Sequence, residues 1–235
     1  MSTLANKQIV VAGGSSGIGK ALVEALVQDN AHVTVTGRDA AKLDALKAAL
    51  PAVNTAVLDS TDRAAMDTFF QKLGHIGHLV LAVSGSKGGG EFRTLQLSEL
   101  RAGFEQKFFP HLDTLQAALP YLKGSVTFIT ASSSMIELPS TSGLAAVNGA
   151  LELMVPILAK ELKPLRVNAV SPGVIDTPWW DTMPAAQKAQ TFDYFCSMIS
   201  VGRVGRAAEV AAAIKAVISN DYINATVIPV NGQIS

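Results

Sequence analysis

The sequence predicts an α/β protein: a single domain spanning residues 1–235, built on one doubly wound parallel sheet of about seven strands with helices on both faces. Three observations carry this. Short β-branched runs alternate with longer helical patterns along the whole chain, the arrangement of strands joined by right-handed crossover helices. Residues 78–83 form an apolar run without alternation, as expected of a strand covered on both faces. The first strand, Ile9-Val10-Val11, stops on a glycine cluster at residues 13–19, and a helical pattern starts at once.

The bulk numbers agree. A chain of 235 residues suits one large domain with a substantial core. Hydrophobic content of 49% against 16% charged residues argues for a well-buried sheet and against disorder. Nineteen basic and nineteen acidic residues balance without blocks of either sign, so no electrostatic footprint points to nucleic acid or an anionic membrane. The single Cys196 excludes an internal disulfide, fits a reducing cytosol and reads as a small apolar filler. The first residues lack the apolar core of a signal peptide, and no segment approaches about 18 uninterrupted apolar residues. The expectation is a soluble, cytoplasmic protein. Four histidines and one cysteine make no metal-ligand spacing, so no metal site is expected.

Taken in order, Lys20, Ala21, Leu22, Ala25 and Leu26 carry the first helix, and residues 32–36 the second strand. A helix over 39–50 ends at Pro51, which cannot continue a helix interior. Residues 53–58 form a third strand that closes on Asp59. A helix over 61–73, capped by Thr61 or Ser60, turns Met66, Phe69, Phe70 and Leu73 inward. After the apolar run comes a glycine-rich segment, residues 84–90, expected to be mobile; His75 and His78 are expected to be exposed. A long helix covers about 98–121, a strand 125–130 and a fifth helix 143–163, where Pro156 predicts a kink or a loosened turn. A sixth strand follows at 165–170, an irregular stretch at 177–200, a helix at 207–218 and a last strand at 226–230.

In such a sheet, ligands bind beyond the carboxyl ends of the strands. The first turn, Gly13-Gly14-Ser15-Ser16-Gly17-Ile18-Gly19, has the make-up of a phosphate cradle. Its backbone N–H groups and the positive end of the helix dipole would face the ligand, and side chains at Gly13, Gly17 and Gly19 would obstruct it. After the second strand, Gly37 stands where an acidic residue would bond a ribose hydroxyl, and Arg38 follows. A guanidinium there suits the 2′-phosphate of NADP(H). Asp59, with Ser60, is placed to receive the adenine amino group or to cap the next helix.

These segments, together with Arg166–Thr177, Val201–Arg206 followed by Glu209-Val210, and Val230-Asn231-Gly232, resemble the short-chain dehydrogenase/reductase family across essentially the whole chain. The resemblance implies a Rossmann-type fold and an NADP(H) site. It places Ser84 and Gly85 beside the cofactor, and Pro172, Gly173, Ile175 and Thr177 around the nicotinamide. It also implies a substrate lid at about 177–200, with Trp179, Trp180, Phe192, Tyr194 and Met198 as pocket candidates, and dimers or tetramers that pair two long helices. The family's catalytic Tyr-x-x-x-Lys pair is missing. Its positions fall on Leu144 and Asn148, the usual helix-four Asn is Lys107, and the strand-five Ser is Ala131, followed by Ser132, Ser133 and Ser134.

No tyrosine lies between Tyr121 and Tyr194 to restore the pair. Lys107 and Asn148 therefore read as an exchange of Lys and Asn between two helices. A Lys107 partly desolvated beside the cofactor would have a lowered pKa and could donate a proton or polarise a carbonyl; the plainer reading is a snorkelling surface lysine. Ser132 is the candidate for holding the substrate oxygen. His111, one turn beyond Lys107, is a second acid–base candidate or a core histidine, and Glu137 is a weaker one. The expected function is an NADP(H)-dependent oxidoreductase reducing a carbonyl or oxidising an alcohol on a small, largely apolar substrate. Two alternatives stay open: a catalytically silent NADP-binding regulatory protein, and a lyase or isomerase with Lys107 as base. Retention of Pro172–Thr177 favours hydride chemistry.

Overall fold

The computed structural model describes residues 3–234. The β-branched start forms β1 (Gln8–Ala12), and the glycine cluster opens α1 (Gly17–Gln28). Then follow β2 (His32–Gly37), α2 (Ala40–Ala49), β3 (Asn54–Val57), α3 (Arg63–Leu73) and β4 (Ile76–Leu81). Beyond β4, α4 (Leu97–Gly103) passes through a π-helical turn (Phe104–Phe108) into α5 (Phe109–Ala118). The second half holds β5 (Leu122–Ile129), α6 (Ser142–Glu161), β6 (Arg166–Pro172), β7 (Ile175–Asp176), α7 (Ala185–Met198), β8 (Gly205–Arg206), α8 (Ala207–Ser219) and β9 (Val227–Val230).

The main sheet has seven strands, all parallel, in the order β3-β2-β1-β4-β5-β6-β9. The order reverses between β1 and β4, and that crevice is where a parallel sheet offers a binding site. Every residue of β6 is buried, and its polar members Arg166, Asn168 and Ser171 are held there by hydrogen bonds to Val217 O, Ile223 O and Glu152. One face is covered by α1, α2 and α8, with Leu22, Val23, Leu26, Leu43, Val210 and Ile214 in its core. The other is covered by α3, α5 and α6, with Met66, Phe70, Leu115, Leu151 and Val155 inward. Burial of these large side chains at roughly 1.5–3 kcal/mol each is the main force holding the layers together.

Several sequence expectations are corrected. The helix over residues 63–73 is capped by Asp62, whose carboxylate accepts from the Ala65 N–H at 3.0 Å, and not by Ser60 or Thr61. Residues 84–90 form no regular element but make defined contacts with their surroundings. Gly90 N–H donates to Ser140 O, Lys87 pairs with Glu99, and a Cβ on Gly143 would stand 2.3 Å from Gly88 O. His78 is buried inside β4 with its ring nitrogen 2.9 Å from Ser125 Oγ. The stretch at 177–200 is ordered as a 3₁₀ turn (Pro178–Thr182) and α7. Helix α6 is one continuous element that contains Pro156, where a backbone N–H is missing as the sequence implies. Its mean hydropathy of 1.5 would suit a membrane span, but Asn148 and Glu152 are buried in it and its inner face packs on the sheet.

Candidate active site

The carboxyl ends of the strands open onto one cleft of about 880 Å³. At its first wall, the β1–α1 turn holds Gly13 at φ +84° and Gly17 at φ +53°, both left-handed conformations that favour glycine. A Cβ on Gly19 would lie 2.3 Å from Gly13 O, so only glycine lets α1 start so close to the strand. Ser16, at the N-cap of α1, makes no side-chain capping bond. The N–H groups of the first turn therefore lack partners within the helix and point at the cleft. Across the cleft, Thr177 packs over Gly17, where a Cβ would meet the threonine side chain at 3.5 Å. This arrangement fits a pyrophosphate held between the glycine turn and the 172–177 segment.

Gly13, Ser15, Ser16, Gly17, Ile18, Gly19, Arg38, Asp59, Ser60, Ser84, Gly85, Pro172, Gly173, Ile175 and Thr177 all line this one cleft. Arg38 is exposed at its outer end. Asp59 accepts from the Thr61 N–H and hydroxyl, which holds its carboxyl below the usual carboxylate range, with Arg38 adding to the effect. Trp179 Nε1 reaches Gly85 O across the cleft at 3.4 Å, and Trp180 Nε1 donates to Ile175 O at 2.9 Å. Phe192 packs edge-on against Trp180 without lining the cleft, and Tyr194 is exposed; Phe195 lines it instead.

At the inner end, Lys107 lies in the π-helical turn and is 9% exposed. Its Nζ donates to Asn148 Oδ1 at 2.7 Å and to Thr130 O at 3.2 Å. It is not a snorkelling surface residue. An ammonium has three N–H groups, so one remains for the cleft. Burial pushes the Lys107 pKa down to about 8, against the pull of Glu152, which raises it. Asn148 is oriented without ambiguity: its oxygen faces a group that can only donate, and its nitrogen donates to Leu144 O at 2.8 Å and Ser133 Oγ at 3.3 Å. Ser133 accepts there, leaving its own proton for the cleft.

Ser132 also lines the cleft, but its hydroxyl donates to Ser171 O at 3.0 Å. Ser133 takes the position expected of Ser132, because the 3₁₀ turn at Ser132–Ser134 rotates successive side chains onto different faces. His111 is excluded from the site. It is fully buried outside the cleft lining, bonded to Val83 O at 2.9 Å, and burial followed by the nearby Lys107 charge lowers its pKa to about 3. Glu137 is exposed and outside the lining. No tyrosine lines the cleft among the described residues; Leu144 fills that place, against the loop at Gly89. Sequence reasoning missed Ser133, Phe195 and Glu152. The spacing of Leu144, Asn148 and Glu152, each four residues apart on one helix face, was the signal for the last.

A family profile described as enoyl-(acyl carrier protein) reductase matches residues 12–233. The L-fucose dehydrogenase of Mus musculus is 31% identical over 221 residues, covering 88% of this chain and 80% of the relative. The cyclic-di-GMP-binding biofilm dispersal mediator protein of Escherichia coli is also 31% identical, covering 91% and 90%. A solved structure of a small-chain dehydrogenase in complex with NADPH superimposes with a TM-score of 0.83 at 30% identity, covering 97% of each chain.

Proposed function

The chain belongs to the short-chain dehydrogenase/reductase family of oxidoreductases, which bind a nicotinamide cofactor, and on that premise we propose that it is an NADPH-dependent carbonyl reductase whose proton donor is Lys107. The observation that carries this is the buried Lys107 ammonium, held by Asn148 and Thr130 with one N–H left over at the cleft. The glycine turn and Thr177 would hold the pyrophosphate, Arg38 the 2′-phosphate, and Pro172, Gly173 and Ile175 the nicotinamide end. When bound, the cofactor supplies a hydride to a carbonyl carbon. Lys107 polarises the carbonyl oxygen and gives it a proton, with the Ser133 hydroxyl as a second donor. The resulting neutral amine stays hydrogen-bonded in the site and regains its proton from water. In the oxidising direction the same amine accepts the alcohol proton.

Ile136, Leu138, Leu144, Trp179 and Phe195 surround the inner cleft and support a small, largely apolar substrate. The segment 177–200 acts as its lid, with Trp179 as the contact to the opposite wall. Self-association through the outer faces of α5 and α6 is supported by apolar side chains left exposed there. The test is consumption of NADPH across a panel of ketones, aldehydes and quinones. Turnover is expected, should fall above about pH 8 as Lys107 loses its proton, and should vanish in Lys107→Met while NADPH still binds. Tight NADPH binding with silence across the whole panel would favour the binding-protein alternative, the one that the E. coli relative's name supports.

A further inference from the structure

Helix α6 carries a charged group that this reading leaves unused. Glu152 lies one turn beyond Asn148 on the same face and is only 8% exposed. Its carboxylate collects three hydroxyls. Thr130 Oγ1 donates to Oε1 at 2.6 Å, Ser171 Oγ to the same oxygen at 2.9 Å, and Ser134 Oγ to Oε2 at 2.5 Å. In all three bonds the carboxyl oxygens of Glu152 accept. These donors come from the end of β5, the 3₁₀ turn after it and β6. One carboxylate thus fastens the floor of the cleft to α6.

Two of the three donors lead back to the proposed proton donor. Thr130 gives its hydroxyl to Glu152 and its carbonyl to Lys107 Nζ. Ser134 stands next to Ser133, which takes the amide proton of Asn148. Burying an isolated carboxylate costs several kcal/mol unless a positive charge compensates it. Lys107 is the cation of this network, and Glu152 is the group that favours its charged form. From α5, the neighbouring His111 is neutral in the physiological range. At the mouth of the cleft, Lys87 is already paired with Glu99, and Glu105 lines the outer wall.

We propose that Glu152 is the positioning residue for Lys107: through Thr130 and the Ser133–Ser134 turn it aims the ammonium into the cleft and keeps it charged at neutral pH. This rests on the assignment of Lys107 as proton donor, and the test separates the two. The ε-carbon NMR resonance of Lys107, assigned by its disappearance in Lys107→Met, reports the lysine's titration without any turnover. In the intact protein the midpoint is expected near 8. In Glu152→Gln it should fall by at least one unit, a tenfold loss of proton affinity, and Glu152→Asp should recover part of that loss. The high-pH limb of carbonyl reduction should move by the same amount, with kcat falling more than KM rises. Thr130→Val, which cuts the link and keeps the shape, should shift the midpoint in the same direction by less and serves if Glu152→Gln does not fold. A midpoint unmoved in both variants would overturn the role of Glu152. A shifted midpoint in a protein that turns over no carbonyl would uphold the pairing and overturn the proton-donor assignment alone.

Discussion

At the level of single residues, the NADPH preference proposed above rests on Gly37 and Arg38. A Cβ on Gly37 would find its nearest neighbour, Ser15 Oγ, at 3.7 Å, so the backbone there has room for a side chain. An acid there would bond a ribose hydroxyl and repel a 2′-phosphate, so glycine at this position is compatible with the proposed NADPH site. Beside it, the Arg38 guanidinium is exposed and free of ion pairs among the described residues. NADPH should bind at least tenfold more tightly than NADH, about 1.4 kcal/mol, and Arg38→Ala should erase most of that difference in calorimetric titrations; equal affinities in the intact protein would sink the assignment. The glycine turn, Arg38 and Pro172–Thr177 were legible in the sequence because their chemistry is local to a strand end. The choice of Ser133 over Ser132 was not, because a hydroxyl's direction in a 3₁₀ turn depends on which acceptor lies across it, here Ser171 O. Glu152 was hidden by its charge, which ordinarily signals a solvated face; its partners come from residues 130, 134 and 171.

Among the helices, α5 and α6 present apolar side chains to solvent as well as to the sheet. Leu153 is 75% exposed, Ile157 56% and Phe109 45%. The self-association proposed above would cover these side chains. Sedimentation velocity is expected to give an oligomer, and the double change Leu153→Glu with Ile157→Glu should yield monomers; an unchanged sedimentation coefficient would remove this face from the assembly. The same scale explains what periodicity could not find. Helix α7 has no buried residue, so it carries no apolar stripe to read, and Pro184, which opens it, looks like a breaker when seen alone. The long helix after β4 was legible as one element, but its division by a π-helical turn was not, since that turn is a matter of hydrogen-bond register.

As a whole, the fold buries two histidines in neutral form. Burial lowers the pKa of His78 from 6.5 to about 4 and that of His111 from 6.5 to about 3. Between those values and 6.5 the unfolded chain binds more protons than the folded one, so stability falls as the pH drops through that window. Lys107 contributes in the alkaline range: its folded pKa near 8 lies below the unfolded 10.5, so stability rises with pH between the two. Urea denaturation from about pH 4 to 7 should lose a few kcal/mol toward the acid end. His111→Gln should flatten that slope, whereas an unchanged slope would mean that the imidazole is charged in the native state. The seven-strand architecture itself was legible because each strand is an apolar segment between helices of ordinary length, and a parallel sheet accepts few other arrangements.

The π-helical turn at Phe104–Phe108 separates the aiming of Lys107 from the packing of α5. A π turn is an α-helix with one residue inserted, so it uncouples the angular phase of the residues before it from that of the residues after it. Helix α5 keeps its packing in the core through Leu115 and Ala118, while position 107 occupies a wider turn over the cleft. Position 107 is therefore aimed by the π turn, and the core-facing residues of α5 by the α-helix that follows it. The proposed proton donor thus stands on a segment whose angular phase is set separately from that of the helix packed in the core.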